Sequence, residues 1–156
     1  MDLMAHGLNV TSAILWRRGA VEAAGGWTEG LGSSQEYDLM FRMLQRDARI
    51  VHDDRVLTEI HQRPGASISR SNLDRNWARF VHLRAQIVAH LRSADPTKDL
   101  AHYYQVLFDG LRTLYPYDPA TANTLYKEYL PARFHPQRSS ATGGFYLLLH
   151  RALGFA

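Results

Sequence analysis

The stretch that most constrains this chain is a glycine-rich loop, residues 25–33, that runs directly into a predicted amphipathic helix. Four of its nine residues are glycine, which readily adopts positive φ and lets the backbone approach a ligand closely. Glu36 and Asp38 follow in the first helical turn, where the helix dipole favours an ionised carboxylate. The junction can therefore present a fixed carboxylate to a substrate. The same two residues can also serve only to complement the helix dipole.

Residues before position 70 are predicted to mix strands and helices. β-branched and aromatic residues with few chain breakers predict three strands, over residues 10–16, 49–52 and 55–61. A short helix is predicted over residues 19–24, and a longer one over residues 35–46 with Ser34 as its N-cap. A loop rich in Pro, Gly and Ser follows over residues 62–69.

Residues after position 70 follow helical periodicity instead. Apolar residues recur at helical spacing over residues 73–91 and 100–114, and two shorter helices are predicted over residues 119–129 and 145–153. Asp118 followed by Pro119 is typical of an N-cap with proline at the first helical position. The expected fold class is therefore α/β in residues 1–70, followed by an α-helical extension over residues 71–156.

Composition excludes several classes of site. The 156 residues contain no cysteine, which excludes disulfide partners, thiolate nucleophiles and cysteine-based zinc sites. No apolar run approaches the roughly 18 residues that a membrane span needs, and residues 1–10 lack the features of a signal peptide. These observations favour a cytoplasmic location.

Charge is distributed unevenly along the sequence. Residues 1–69 hold seven Arg and no Lys against nine Asp and Glu, whereas residues 70–156 hold nine Arg and two Lys against six Asp and Glu. A basic half could contact phosphate, an anionic lipid surface or nucleic acid. The alternative is that arginine is simply the commonest surface charge here.

The order of motifs in residues 5–70 resembles the acceptor-side half of family 2 glycosyltransferases of the GT-A fold. In that family a strand and an arginine pair precede a Gly-Gly-aromatic loop, an acidic pair opens a helix, and a His- or Arg-containing Pro-Gly-Ser loop closes the catalytic domain. The matching segments here are His6–Leu8, Thr11–Arg18, Gly25–Glu29, Gln35–Leu39 with Arg42, and His61–Ser69.

The resemblance implies an inverting sugar transfer from a nucleotide-sugar donor to a hydroxyl acceptor, of the kind that builds cell-envelope polysaccharide. Glu36 matches the catalytic acid of the family and would act as general base on the acceptor hydroxyl. Gln35 stands where a first acid is usual, and Asp38 would raise the pKa of Glu36 or help to bind the acceptor. Trp27 could stack on a sugar ring or anchor the loop in a core. Arg42 is expected to form a local ion pair with Asp38, four residues earlier.

His61 and Arg63 lie where the family places residues near a divalent metal and the donor diphosphate. The resemblance implies Mn²⁺ or Mg²⁺ as the cofactor of the complete enzyme, with an imidazole on the metal and a guanidinium on the leaving group. The alternative for His61 is a surface histidine at the end of a strand.

Part of the family pattern is absent from this sequence. No Asp-x-Asp motif or Gly-rich phosphate loop occurs, so the resemblance implies a fragment or split part that is inactive alone. The second hypothesis is a non-catalytic binding or scaffold domain. Its basic helical half would contact nucleic acid or, as the favoured partner, an anionic surface at the inner face of the membrane.

Overall fold

The computed structural model describes residues 13–51, 53, 55–59, 61 and 72–155. The chain divides into two compact units, Met1–Ser71 and Asn72–Ala156. All regular structure in the described residues is helical. No helix among them has the length and apolar character needed to cross a bilayer.

The described part of the first unit contains two helices. Helix α1 spans Arg18–Ala23 and helix α2 spans Gln35–Leu44, so the predicted helices at these positions are confirmed. Their apolar faces meet in a small cluster in which Leu39 and Met43 of α2 pack with Ala24, and Trp16 closes one side of it. Ser34 occupies the predicted N-cap position of α2 but has positive φ, and its side chain makes no capping hydrogen bond.

The predicted α/β fold is wrong, because the described residues contain no strand. The strand predictions fail in residues 13–16, 49–51, 55–59 and 61, which are the described parts of the three ranges. A strand needs a neighbouring strand to pair its backbone groups, and none lies alongside these residues within the described chain. Val56 is 94% exposed, and the Arg55 amide donates 3.1 Å to the Asp53 carboxylate. This local hydrogen bond competes with pairing in a ladder.

The second unit contains four helices, as predicted. They are α3 (Leu73–Ala94), α4 (Ala101–Leu114), α5 (Pro119–Tyr129) and α6 (Gly144–Leu153). Asp118 caps α5 by accepting a 2.9 Å hydrogen bond from the Thr121 amide, and Pro119 follows it, so the predicted cap is confirmed. Helix α3 packs against both α4 and α5. The core between them is formed by apolar side chains of all three helices, among them Val81, Val88, Leu107, Phe108, Leu111, Leu114 and Leu125.

Candidate functional site

The guanidinium of Arg42 joins the glycine-rich loop to helix α2. Its Nη2 atom lies 2.8 Å from Asp38 Oδ2 and donates to the Gly26 carbonyl at 2.8 Å. Its Nη1 atom donates to the carbonyl of Ala24. Because a guanidinium offers five donors in a rigid plane, one side chain can hold both the helix and the loop. The predicted ion pair between Arg42 and Asp38 is confirmed, and it belongs to a larger network.

Thr28 completes this network from the loop side. Its hydroxyl donates a 2.7 Å hydrogen bond to Asp38 Oδ2 and accepts one of 3.1 Å from Arg42 Nη2. Asp38 Oδ2 therefore accepts from both a guanidinium and a hydroxyl, and charge-assisted bonds of this kind are the stronger class. We refer to Ala24, Gly26, Thr28, Asp38 and Arg42 as the Arg42 network. Within it, Asp38 has a structural role that holds the loop.

Glu36 lies in the first turn of α2 and is partly exposed. Glu36 and Asp38 are two positions apart in the sequence, so the two side chains leave the helix about 160° apart. The two acidic residues in the first turn of α2 therefore face different sides of the helix. Asp38 faces the glycine-rich loop through the Arg42 network, whereas Glu36 leaves the helix on another side.

The other predicted acceptor residues take part in the loop structure. The Gln35 side-chain amide donates to the carbonyl of Leu31. The Trp27 ring meets the Trp16 ring edge-on, with centroids 5.6 Å apart. Trp27 nevertheless remains 42% exposed, so it anchors the loop with one part of its ring system and offers another part to solvent. Such an exposed aromatic surface can stack on a sugar ring.

Of the two residues predicted to lie near a metal or the donor diphosphate, the structure describes His61. The His61 Nε2 atom lies 3.7 Å from Glu59 Oε1, and both side chains are largely exposed. Arg63 lies outside the described residues. No group of three His, Asp or Glu side chains suited to a metal ion occurs among the residues that the structure describes. The divalent cofactor stays a prediction.

A second polar cluster lies in the helical unit, where the sequence indicated only helix packing. The Tyr126 hydroxyl and His150 Nε2 are 3.2 Å apart, and the His150 ring packs edge-on against Phe108, with centroids 5.3 Å apart. Burial lowers the pKa of His150 and raises the pKa of Tyr126. Both groups are therefore held in their neutral forms near neutral pH.

An open cleft of about 490 Å³ adjoins this pair. Its walls come from α5, the loop after it, and α6, and its lining combines Phe134, Leu147 and Leu148 with His135 and Arg151. Tyr146 and His150 are four positions apart in the sequence. On a helix this spacing places their side chains next to each other, so this part of the cluster can be predicted from the sequence. Phe108 is distant from His150 in the sequence, so no local spacing predicts the contact between their rings.

The chain was compared with protein-family models, with curated proteins and with solved structures, and none of them matches it.

Proposed function

We propose that the glycine-rich loop and α2 form the acceptor side of an inverting glycosyltransferase, with Glu36 as the general base. The observation that carries the proposal is the Arg42 network, which separates the roles of the two carboxylates in the first turn of α2. Asp38 is bonded to Arg42 and Thr28. The proposal therefore assigns the proton transfer to Glu36, whose side chain leaves α2 on a different side.

Activation of the acceptor hydroxyl requires a carboxylate that is positioned to accept its proton. Glu36 takes the proton of an acceptor hydroxyl as that oxygen attacks the anomeric carbon of the donor sugar. A new carbon–oxygen bond forms with inversion, the bond to the nucleoside diphosphate breaks, and the diphosphate leaves with the electron pair. A general base in hydrogen-bond reach of the hydroxyl typically contributes 10²–10⁴-fold to such a step.

The loop would supply the acceptor contacts in this proposal. The Arg42 network holds the loop backbone at Ala24 and Gly26, so the position of the neighbouring Trp27 is fixed relative to α2. Preorganised contacts of this kind reduce the ordering that binding otherwise requires. Trp27 would stack on the acceptor sugar through the part of its ring system that remains exposed.

The proposal takes the donor diphosphate to be bound by residues that supply an Asp-x-Asp motif, which this sequence lacks. The first check is the reading frame upstream of Met1, which we expect to encode that motif. The assay then uses the chain joined to that segment and measures nucleoside diphosphate release from a panel of nucleotide sugars. We expect Glu36→Gln to lower turnover by about 100-fold or more.

Glu22→Gln is the matched control, because Glu22 is an exposed carboxylate on α1, outside the glycine-rich loop. Its turnover should stay within about twofold of the wild type, since surface substitutions of this kind have small effects. Both variants should keep the urea midpoint of the parent. Wild-type turnover in Glu36→Gln would exclude Glu36 as the base.

A further inference from the structure

Helix α6 presents an apolar face to solvent. Phe145 is 76% exposed, Leu148 65% and Leu153 75%. At 100° per residue, these three and the partly exposed Leu149 lie within about 140° of one another. Tyr146 and His150, which lie about 20° and 60° beyond Leu153 around the helix axis, contact the Phe108 ring. The helix is thus held by side chains beside one edge of the apolar strip, and the strip itself remains exposed.

The segment of sequence that contains this strip carries formal charges of one sign. Residues 1–129 hold 15 Arg and Lys and 15 Asp and Glu, so the net charge of +3 is carried entirely by residues 130–156. Those 27 residues contain Arg133, Arg138 and Arg151, two histidines and no acidic residue. Arg151 and His135 also line the cleft beside Leu148. The apolar strip is therefore accompanied by cations that have no acidic partner within the same segment of sequence.

We propose that α6 and residues 131–138 dock this protein on an anionic membrane surface, with the α6 axis in the plane of the interface. A helix of this kind buries its apolar face at the boundary between headgroups and acyl chains, while flanking cations meet anionic lipids. Ten residues span only about 15 Å, which suits a helix that lies on the bilayer. This inference is independent of the chemistry proposed for Glu36.

Charge complementarity favours a bilayer over a second copy of the chain. A twofold contact through α6 would bring two acid-free basic segments together, and like charges across an interface oppose association. A lipid surface supplies the missing negative charge. It also accepts Phe and Leu side chains, which a nucleic acid backbone does not bury. The exposed aromatic and leucine side chains therefore separate this proposal from nucleic acid binding.

The test is flotation of the full chain with two kinds of vesicle, phosphatidylcholine alone and phosphatidylcholine mixed with phosphatidylglycerol. We expect binding to the anionic vesicles, weakening with added salt. Leu148→Ser combined with Leu153→Ser should reduce the vesicle partition coefficient about tenfold or more. Arg138→Gln and Arg151→Gln should each reduce it about fivefold.

Matched control variants distinguish vesicle binding through α6 from non-specific adsorption and from the effects of unfolding. Leu149 and Leu73 are both 41% exposed, so Leu149→Ser should weaken binding whereas Leu73→Ser should not. Arg75→Gln removes one charge from exposed residues of α3 and should have little effect. Circular dichroism should show the same helix content in all variants. Absence of vesicle binding, binding that is indifferent to the α6 variants, or self-association that they abolish would each overturn the proposal.

Discussion

The hydroxyl of Thr142 donates a 2.6 Å hydrogen bond to Asp109 Oδ1, across 33 positions of sequence. Thr142 is fully buried and lies just before α6, whereas Asp109 lies in the middle of α4. The same carboxylate oxygen accepts a 3.1 Å bond from the Gln105 side chain, which in turn bonds the backbone of Gln137. A polar network on α4 therefore holds the loop between α5 and α6.

Thr142→Val should destabilise the helical unit. The substitution keeps the shape of the side chain but removes the hydroxyl that donates to the Asp109 carboxylate, and a hydrogen bond to a charged group contributes about 1.5–3 kcal/mol. Urea unfolding followed by circular dichroism measures the change. Thr124→Val is the control, because the exposed Thr124 hydroxyl bonds only its own helix at the Ala120 carbonyl. Its free energy of unfolding should stay within about 0.5 kcal/mol of the wild type; equal effects at both positions would contradict the importance of the Asp109 bond.

Arg42→Lys should release the glycine-rich loop from α2. A lysine ammonium cannot reproduce the planar fork that reaches Asp38, Thr28 and two loop carbonyls. Amide hydrogen exchange over residues 25–29 should accelerate about tenfold or more, because charge-assisted hydrogen bonds of about 1.5–3 kcal/mol are lost. Arg18→Lys is the control, since Arg18 pairs with Glu22 on a fully exposed helix face. Unchanged exchange in Arg42→Lys would show that the loop is held by other contacts.

Gly110→Leu should separate α3 from α4. A Cβ atom at position 110 would lie 3.2 Å from both Phe80 Cε1 and Val81 Cγ2, so a larger side chain must displace the packed face of α3. Overpacking of this kind costs about 1–3 kcal/mol, which thermal unfolding detects as a lower midpoint. Gly144→Ala is the control, because nothing lies within 4 Å of its added Cβ. A wild-type midpoint for Gly110→Leu would contradict the close helix packing.

His150 should make the helical unit less stable in mild acid. Burial lowers the pKa of His150 in the folded chain, and Arg112 and His135 add to this effect. The unfolded chain therefore binds more protons as pH falls below the ordinary value of about 6.5, and the free energy of unfolding decreases. This contribution is absent above that pH. Urea midpoints measured between about pH 7 and about pH 5 should show it.

His150→Gln should give a shallower dependence of the urea midpoint on pH, since it removes the group that must stay neutral. Gln86→Ala, which removes a non-titrating side chain from an exposed position of α3, should retain the wild-type dependence. If both variants had the same pH profile as the parent, the decrease in acid would belong to other groups.

The sequence predicts the helices well and the strands badly, for a physical reason. Helices α3, α4 and α5 each carry an apolar stripe whose partners lie on neighbouring helices, as Leu107 and Leu111 do on α4. A strand instead requires a second strand in register. β-branched residues such as Val56 indicate a propensity for extended backbone, but they do not show that a pairing strand is present. Val56 is exposed, and the described chain places no strand beside it.

The candidate site was predictable in its local part only. Asp38 and Arg42 are four positions apart, which predicts an ion pair between adjacent turns of a helix, and the structure confirms this pair. The same spacing gives no sign that Arg42 also binds the carbonyls of Ala24 and Gly26, because backbone acceptors carry no residue signature. The proposal gives Asp38 a structural role and Glu36 the role of general base on the basis of the Arg42 network. The sequence alone does not distinguish these two roles.

The hold of Arg42 on the loop has a consequence for how the sequence can vary over evolution. Gly25 and Gly26 both have positive φ, a conformation that other residues adopt only with strain. That strain matters only while the Arg42 guanidinium keeps the loop in place. Substitutions of Gly25 and of Arg42 should therefore be non-additive in a double-mutant cycle, the second change costing less than it does alone. In a set of relatives, the glycines and the arginine should be retained together or lost together.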